Sequence, residues 1–228
     1  MEANRISDKR PIRTRLALAI GLAAGAMALC AAVALAAAVD CAGGGARCEG
    51  TSEPDEISGT SGHDEIFAKG RSDFVLGWGS GDEIRGGSGS DSIVGELGSD
   101  VVYGGDGNDG VYDSYNNVDG GADRYFGGRG NDTMYGYSDR DKLVGGPGGD
   151  GSNGLGALGG GHGADIILGG AGRDVLVGDE GNDELRGGTE NDKIYAGPGR
   201  DEVDCGRGAS DYADVEPEDH VRNCETVV

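Results

Sequence analysis

Aspartate is the residue type whose spacing in this chain points to chemistry. Sixteen aspartates fall into three blocks with nine residues between neighbours. Carboxylate oxygens in such regular order suit a hard cation such as Ca²⁺, whereas zinc prefers cysteine and histidine. The spacing therefore predicts ion binding. The blocks are Asp55, Asp64, Asp73, Asp82, Asp91, Asp100 and Asp109; Asp123, Asp132, Asp141 and Asp150; and Asp165, Asp174, Asp183, Asp192 and Asp201.

Each aspartate belongs to a nine-residue unit, such as GGSGSDSIV at residues 86–94. An apolar residue follows the aspartate by two positions in every unit except the one with Ser152. Strand side chains alternate between faces, so this single apolar residue should point inward. Glycines such as Gly86, Gly87 and Gly89 favour a turn with positive φ or close backbone approach. Each unit therefore predicts one turn and one strand of about three residues.

Strands this short cannot bury their apolar residues alone, so the units must stack as a parallel β-solenoid. With two units per coil, aspartates eighteen residues apart would stack on one edge. Parallel strands lie ~4.8 Å apart and Ca²⁺–oxygen distances are ~2.4 Å, so one ion could contact two stacked carboxylates. Stacking within the three blocks gives ten such pairs.

The pattern resembles the RTX family, whose haemolysin-type repeat reads G-G-x-G-x-D-x-U-x. Close copies occupy 86–94, 104–112, 127–135, 160–168 and 169–177. The resemblance implies an all-β parallel β-roll that binds several Ca²⁺ ions through aspartates and turn carbonyls. Glu53, Arg71 and Asp139 replace a turn glycine and make ion binding by their units a weaker expectation. The candidate metal ligands are Asp64, Asp82, Asp91, Asp100, Asp109, Asp132, Asp150, Asp165, Asp174, Asp183, Asp192 and Asp201.

The N-terminal segment is typical of an export signal. Residues 5–15 hold five basic residues and one acidic residue, and residues 16–39 hold no charge. This pattern predicts a signal peptide at 1–38, with cleavage near Ala38 and secretion to the extracellular space. The apolar run of 24 residues is also long enough to span a bilayer, so an uncleaved membrane anchor is the alternative.

The charge and the cysteine content of the part after residue 38 indicate its partners and its disulfides. The full chain has a net charge of −22, and without residues 1–38, which hold five basic and two acidic residues, the charge is −25. Such a charge disfavours nucleic acid and anionic membranes as partners. It would ordinarily predict disorder, so folding should depend on a cation from outside. Four cysteines follow the signal, and we expect disulfides Cys41–Cys48 and Cys205–Cys224 in caps at 39–51 and 205–228, on either side of the repeat domain 52–204.

Insertions separate the blocks, because fourteen residues lie from Asp109 to Asp123 and fifteen from Asp150 to Asp165. If the coils stay in phase across the first insertion, Tyr103 neighbours Phe126 and Tyr112 neighbours Tyr135. Such rings are either a stacked ladder on the sheet or a platform for a sugar or partner.

No catalytic motif is visible: the chain has three histidines, no H-E-x-x-H and no G-x-S-x-G. We therefore predict a non-enzymatic, secreted calcium-binding protein with a structural or adhesive role, whose expected partner besides calcium is an extracellular polysaccharide or cell-surface molecule. The alternative that the RTX resemblance suggests is a toxin or an accessory module of a secreted enzyme system. A sugar-modifying enzyme that uses the aspartates is a third, weaker hypothesis.

Overall fold

The computed structural model describes residues 37–43, 45, 47–113, 121–151 and 156–228. The predicted signal peptide lies outside these residues except for Ala37 and Ala38, so its cleavage stays a prediction. Among the described residues, no helix is long and apolar enough to cross a membrane.

The described chain forms two parallel sheets, with successive strands alternating between them. Sheet A contains β1 Ala37–Asp40, β3 Asp55–Ser58, β5 Phe74–Gly79, β7 Ser92–Leu97, β9 Gly110–Tyr112, β11 Thr133–Ser138, β13 Leu158–Gly163, β15 Val175–Gly181, β17 Lys193–Tyr195, β19 Tyr212–Asp214 and β21 Thr226–Val227. Sheet B contains β2 Arg47–Glu49, β4 Glu65–Gly70, β6 Glu83–Ser88, β8 Val101–Asp106, β10 Arg124–Arg129, β12 Lys142–Pro147, β14 Ile166–Ala171, β16 Glu184–Thr189, β18 Glu202–Arg207 and β20 His220–Arg222. Each strand pairs with the strand two further along the chain, which confirms a parallel β-solenoid with two units per coil.

The strands are longer than predicted, and the expected three-residue strand is wrong for most units. Strand β6, for example, has six residues. Its register continues beyond the apolar residue Ile84, because Gly87 still pairs with Gly105 in β8. Glycine has no side chain but retains its backbone donor and acceptor, so the turn glycines can extend the ladder.

The core consists mainly of one large apolar residue from each unit, stacked in two columns between the sheets, and Ala68, Ala196 and Cys205 are also buried in it. Ile84 and Val102 pair in register, and both are 0% exposed. Leu158 resolves the exception at Ser152, because it pairs with Met134 on one side and Leu176 on the other. The second insertion therefore falls between Asp150 and the core residue of its unit. Residue Ser152 itself lies outside the described residues.

The first insertion does not change the phase of the coils. Strand β8 pairs with β10 across it, and β9 pairs with β11. The rings of Tyr103 and Phe126 stack with centroids 5.0 Å apart, and those of Tyr112 and Tyr135 with centroids 6.1 Å apart. Both neighbour relations expected from the sequence are thus confirmed.

Both expected disulfides are present, Cys41–Cys48 and Cys205–Cys224. Cys48 occupies a core position opposite Ile66, so the first bridge lies at the N-terminal end of the column. Sheet pairing continues past residue 204 through β19, β20 and β21. The segment 205–228 therefore contributes strands to the solenoid; the boundaries of the caps and the repeat domain stay predictions.

We expect Ile93→Ala to lower the free energy of unfolding by about 2–5 kcal/mol, because the side chain is fully buried and leaves a cavity in the column. Leu97→Ala in the same strand is the control, since Leu97 is 44% exposed. Chemical denaturation in saturating Ca²⁺ measures both changes. Equal losses would contradict the assignment of the core.

Candidate metal centre

The repeat aspartates stack in two continuous ladders, one for each edge of the solenoid. In each ladder the backbone N–H of one aspartate donates to Oδ1 of the aspartate one coil later, as from Asp91 to Asp109 at 2.8 Å. Ladder A contains Asp55, Asp73, Asp91, Asp109, Asp132, Asp150, Asp174, Asp192 and Asp211. Ladder B contains Asp64, Asp82, Asp100, Asp123, Asp141, Asp165, Asp183, Asp201 and Asp219.

The ladders cross both insertions, which stacking within the blocks did not predict. Asp100 bonds to Asp123 across the first insertion, and Asp150 bonds to Asp174 across the second. Two further members follow the last block: Asp211 lies nineteen residues after Asp192, and Asp219 lies the regular eighteen after Asp201. The structure therefore contains sixteen stacked pairs rather than the ten within the blocks.

The second carboxylate oxygen of most ladder aspartates is buried without a hydrogen-bond donor. Every ladder member from Asp55 to Asp211 is at most 3% exposed. An unpaired buried carboxylate oxygen is energetically expensive, and a bound cation is one way to satisfy it. The unpaired Oδ2 atoms belong to Asp73, Asp82, Asp91, Asp100, Asp109, Asp132, Asp141, Asp150, Asp165, Asp174, Asp183, Asp192, Asp201 and Asp211.

A carbonyl oxygen and an unpaired carboxylate oxygen both border the Cβ position of the first turn glycine. A Cβ added to Gly86 would lie 2.4 Å from Asp91 Oδ2 and 2.6 Å from the carbonyl oxygen of Gly104. Both oxygens therefore flank the same glycine, and any larger residue would collide with them. Among the described residues, no three His, Cys, Asp or Glu side chains converge as a metal-binding group. A cation here would need backbone carbonyls as well as carboxylates, and that all-oxygen donor set fits calcium.

Two turns keep the regular conformation although their fourth glycine is replaced. Gly87 and Gly89 have φ of +111° and +123°, as the second and fourth turn positions require. Arg71 and Asp139 replace the fourth glycine and still adopt φ of 71° and 73°. Thus the turns of Asp73 and Asp141 keep the regular shape, although their sequences depart from the repeat.

Four ladder aspartates differ, because the protein itself supplies donors to Oδ2. Thr51 donates to Asp55, and Thr60 donates to Asp64. The buried Tyr125 hydroxyl donates to Asp123 Oδ2 at 2.8 Å. At the last of them, Asp219, the donor is the backbone N–H of Glu216 at 2.7 Å. Asp64 is one of the twelve candidate ligands named from the sequence, and the bonds from Thr60 set it apart from the other eleven. The signal for the third case is the tyrosine at a core position that most units fill with an aliphatic residue.

Asparagines before the aspartates form a further set of contacts that the sequence interpretation missed. Asn108 Oδ1 accepts the N–H of Asn131, and Asn131 Oδ1 accepts the N–H of Gly149, both at 2.8 Å. Asn182 accepts the N–H of Arg200 in the same way. These amides hold successive turns in register, and the recurring Asn-Asp dipeptide is the signal that could have revealed them.

Burial makes the ladder carboxyls of Asp82, Asp123 and Asp141 weaker acids. It raises the pKa of Asp82 from 3.8 to about 7, an effect that the N–H of Asp64 partly offsets and the carboxyl of Asp100 reinforces. Burial likewise raises the pKa of Asp141 to about 8 and that of Asp123 to about 9. Calcium binding to such carboxyls must displace protons.

The repeat profile described as the RTX calcium-binding nonapeptide repeat matches residues 49–79, 79–111, 118–151, 159–176 and 177–210, more than half of the chain. The chain belongs to the RTX calcium-binding nonapeptide-repeat family. A search of curated proteins finds no match. The matched residues contain the β-roll turns and both aspartate ladders as far as Asp201. RTX membership and the unpaired buried oxygens thus make calcium binding a plausible property of these turns.

We expect the metal-free protein to gain β structure as the pH falls. The folded chain keeps protons that the unfolded chain releases above about pH 4, because burial raises the pKa of Asp82 and Asp109 from 3.8 to about 7. Folded stability is therefore highest below about pH 4 and falls as the pH rises through 7. Far-UV circular dichroism in chelator should show more β signal at pH 5 than at pH 8.

Saturating calcium is the control for this pH effect. Protons compete with Ca²⁺ for the same carboxyls, so the calcium concentration that half-occupies the sites of the folded chain should decrease from pH 5 to pH 8. In saturating calcium the β signal should be the same at both pH values. A metal-free protein with more β structure at pH 8 than at pH 5 would contradict the raised pKa values.

Proposed function

We propose that this RTX protein acts outside the cell as a calcium-dependent β-roll with a structural or adhesive role. The observation that carries the proposal is the set of buried Oδ2 atoms without donors, repeated coil after coil. Calcium supplies positive charge to these carboxylates when bound. The chain's own contribution is to hold each carboxylate by an N–H bond to Oδ1 and to bring glycine carbonyls close to Oδ2.

Calcium binding can contribute enough free energy to fold the roll. Each site adds RT ln(1 + [Ca²⁺]/Kd), which is about 1.4 kcal/mol for ~1 mM calcium and a Kd of ~0.1 mM. Several sites together exceed the ~5–15 kcal/mol stability of a typical domain. Without metal, the net charge of −22 and the raised ladder pKa values oppose folding at neutral pH.

Extracellular action is supported by three features. The first is the basic and then apolar segment at 1–38, which is typical of export. The second is the pair of disulfides, which suits an oxidising compartment. The third is the proposed need for calcium near millimolar concentration, which is available outside cells.

A non-catalytic role is supported by where the described strands, turns and buried carboxylates lie. Strands and turns of one solenoid extend from Ala37 to Val227, and every buried carboxylate among the described residues except Asp113 is a ladder member. The stacked pairs Tyr103–Phe126 and Tyr112–Tyr135 lie on the outer faces and are the surface features that best suit a polysaccharide or cell-surface partner.

The test of calcium-dependent folding is a titration of the exported chain followed by far-UV circular dichroism. We expect little β signal in chelator at pH 8 and a steep rise with Ca²⁺, since each ion bridges neighbouring coils. Mg²⁺ is the control and should have a weaker effect, because it requires stricter octahedral geometry. A full β spectrum that persists in excess chelator at pH 8 would refute the proposal.

A substitution in the ladder tests whether its aspartates bind the calcium. We expect Asp91→Ala to lower the number of bound calcium ions by one or two, because its Oδ2 is buried and unpaired between two coils. Asp214→Asn is the control, since it removes a charge from an exposed side chain. Equilibrium dialysis at saturating calcium measures both, and equal losses would argue against the ladder as the site.

A further inference from the structure

The turns of the first two ladder aspartates, Asp55 and Asp64, have a different backbone conformation from the later ladder turns. Thr51 and Thr60 occupy the second turn position, and neither has a positive φ. The described residues at the same position from 69 to 206 all have a positive φ, whatever their type. They are Lys69, Trp78, Gly87, Glu96, Gly105, Gly128, Tyr137, Gly146, Gly161, Gly170, Asp179, Gly188, Gly197 and Gly206.

The altered conformation directs two donors at the aspartate of the same turn. The Thr60 N–H donates to Asp64 Oδ2 at 2.6 Å, and its hydroxyl donates to the same oxygen at 2.9 Å. That hydroxyl also accepts the N–H of Gly62 at 3.1 Å. Thr51 makes the same set of bonds with Asp55 and Glu53.

These donors occupy the oxygen that is unpaired in the regular turns. A cation at Asp64 Oδ2 would meet an N–H and an O–H that both point toward it, and would have to break both bonds. We propose that the turns of Asp55 and Asp64 are closed by threonine in place of calcium, and that this first coil is a calcium-independent platform for the coils that follow. This inference rests on the proposed function, because it divides the ladder into calcium-dependent and calcium-independent turns.

The position of the coil suits a platform. The Cys41–Cys48 disulfide lies immediately before it and joins the first strands of the two sheets. The backbone N–H groups of Asp55 and Asp64 donate to Oδ1 of Asp73 and Asp82, so they orient the first aspartates of the next coil. Ion pairs Arg47–Glu65 and Lys69–Glu49 connect β2 to β4 on the outer face.

A gain-of-site substitution tests the assignment. Thr60→Gly removes the hydroxyl and permits the positive φ of a regular turn, so we expect it to bind one more calcium ion than the wild type. Asp64→Asn should leave the number of bound ions unchanged. Asp183→Asn is the matched variant in the same ladder, has an unpaired Oδ2, and should lose one or two ions.

Equilibrium dialysis with Ca²⁺ on the full exported chain, checked for folding by circular dichroism, gives these counts. The inference is overturned if Asp64→Asn loses as many ions as Asp183→Asn, or if Thr60→Gly gains none while remaining folded. If the wild type binds no calcium, the proposed function fails instead, so the two failures are distinguishable.

Hydrogen exchange tests the platform role. At subsaturating calcium, we expect amide protection to appear first in residues 47–70 and to extend toward the C-terminus. Thr60→Val, which removes only the hydroxyl donor, should raise the calcium midpoint for folding of the whole chain without changing the number of ions bound. Protection that begins at the C-terminal coils, or a midpoint unchanged by Thr60→Val, would overturn the platform role.

Discussion

The burial of carboxylates without enough donors is the constraint on which the rest of this structure depends. A ladder aspartate receives one N–H at Oδ1 from the preceding coil, and in fourteen cases Oδ2 has no donor. Neighbouring carboxyls in the same column repel one another and raise each other's pKa, as Asp132 and Asp91 do for Asp109. Either protons or cations must balance this charge, and neutral pH favours cations.

The glycine content follows from the same constraint. At the first turn position a glycine leaves room for the aspartate oxygen and a carbonyl of the next coil, as beside Gly86, and the exceptions include the small residues Ala68 and Ala196. The second turn glycine needs a positive φ and lies against the preceding coil, since a Cβ at Gly87 would be 2.1 Å from the carbonyl oxygen of Lys69. The 49 glycines of the chain bury no side chains, and those in the turns let backbone and carboxylate oxygens approach one another.

Features set by the repeat period were predictable from the sequence. Alternation placed Ile84 and its equivalents in the core, and the spacing of Asp91 and Asp109 predicted that they stack. Strand length was not predictable in this way, because backbone pairing of glycines leaves no pattern of side chains. The sequence also did not predict that Leu158, and not Ser152, fills the core position of its unit, since it does not show where within a unit an insertion falls.

Contacts within a turn were harder still to predict. The bond from Thr60 to Asp64 joins residues four positions apart, and the bond from Tyr125 to Asp123 joins residues two positions apart. Both donors are residues that depart from the repeat, so the repeat pattern does not predict their contacts. The sequence shows only that a threonine replaces a turn glycine, and the structure shows that this threonine bonds to the aspartate of the same turn. The disulfides and stacked rings were more accessible, because position along the repeat determines which partners can meet.

The three aspartates with side-chain donors occupy the places where regular stacking is interrupted. Asp55 and Asp64 begin the ladders, and Asp123 is the first ladder member after the first insertion. Burial raises the pKa of Asp123 to about 9, so its carboxyl holds a proton at neutral pH and adds no charge to the column. On the proposed function, calcium then balances the carboxylates with unpaired Oδ2 atoms, including Asp132, Asp165 and Asp174 after the insertions, and hydrogen bonds close the turns of Asp55, Asp64 and Asp123. The solenoid can therefore start without an ion at its first two ladder turns, while the unpaired carboxylates that follow make its stability depend on calcium.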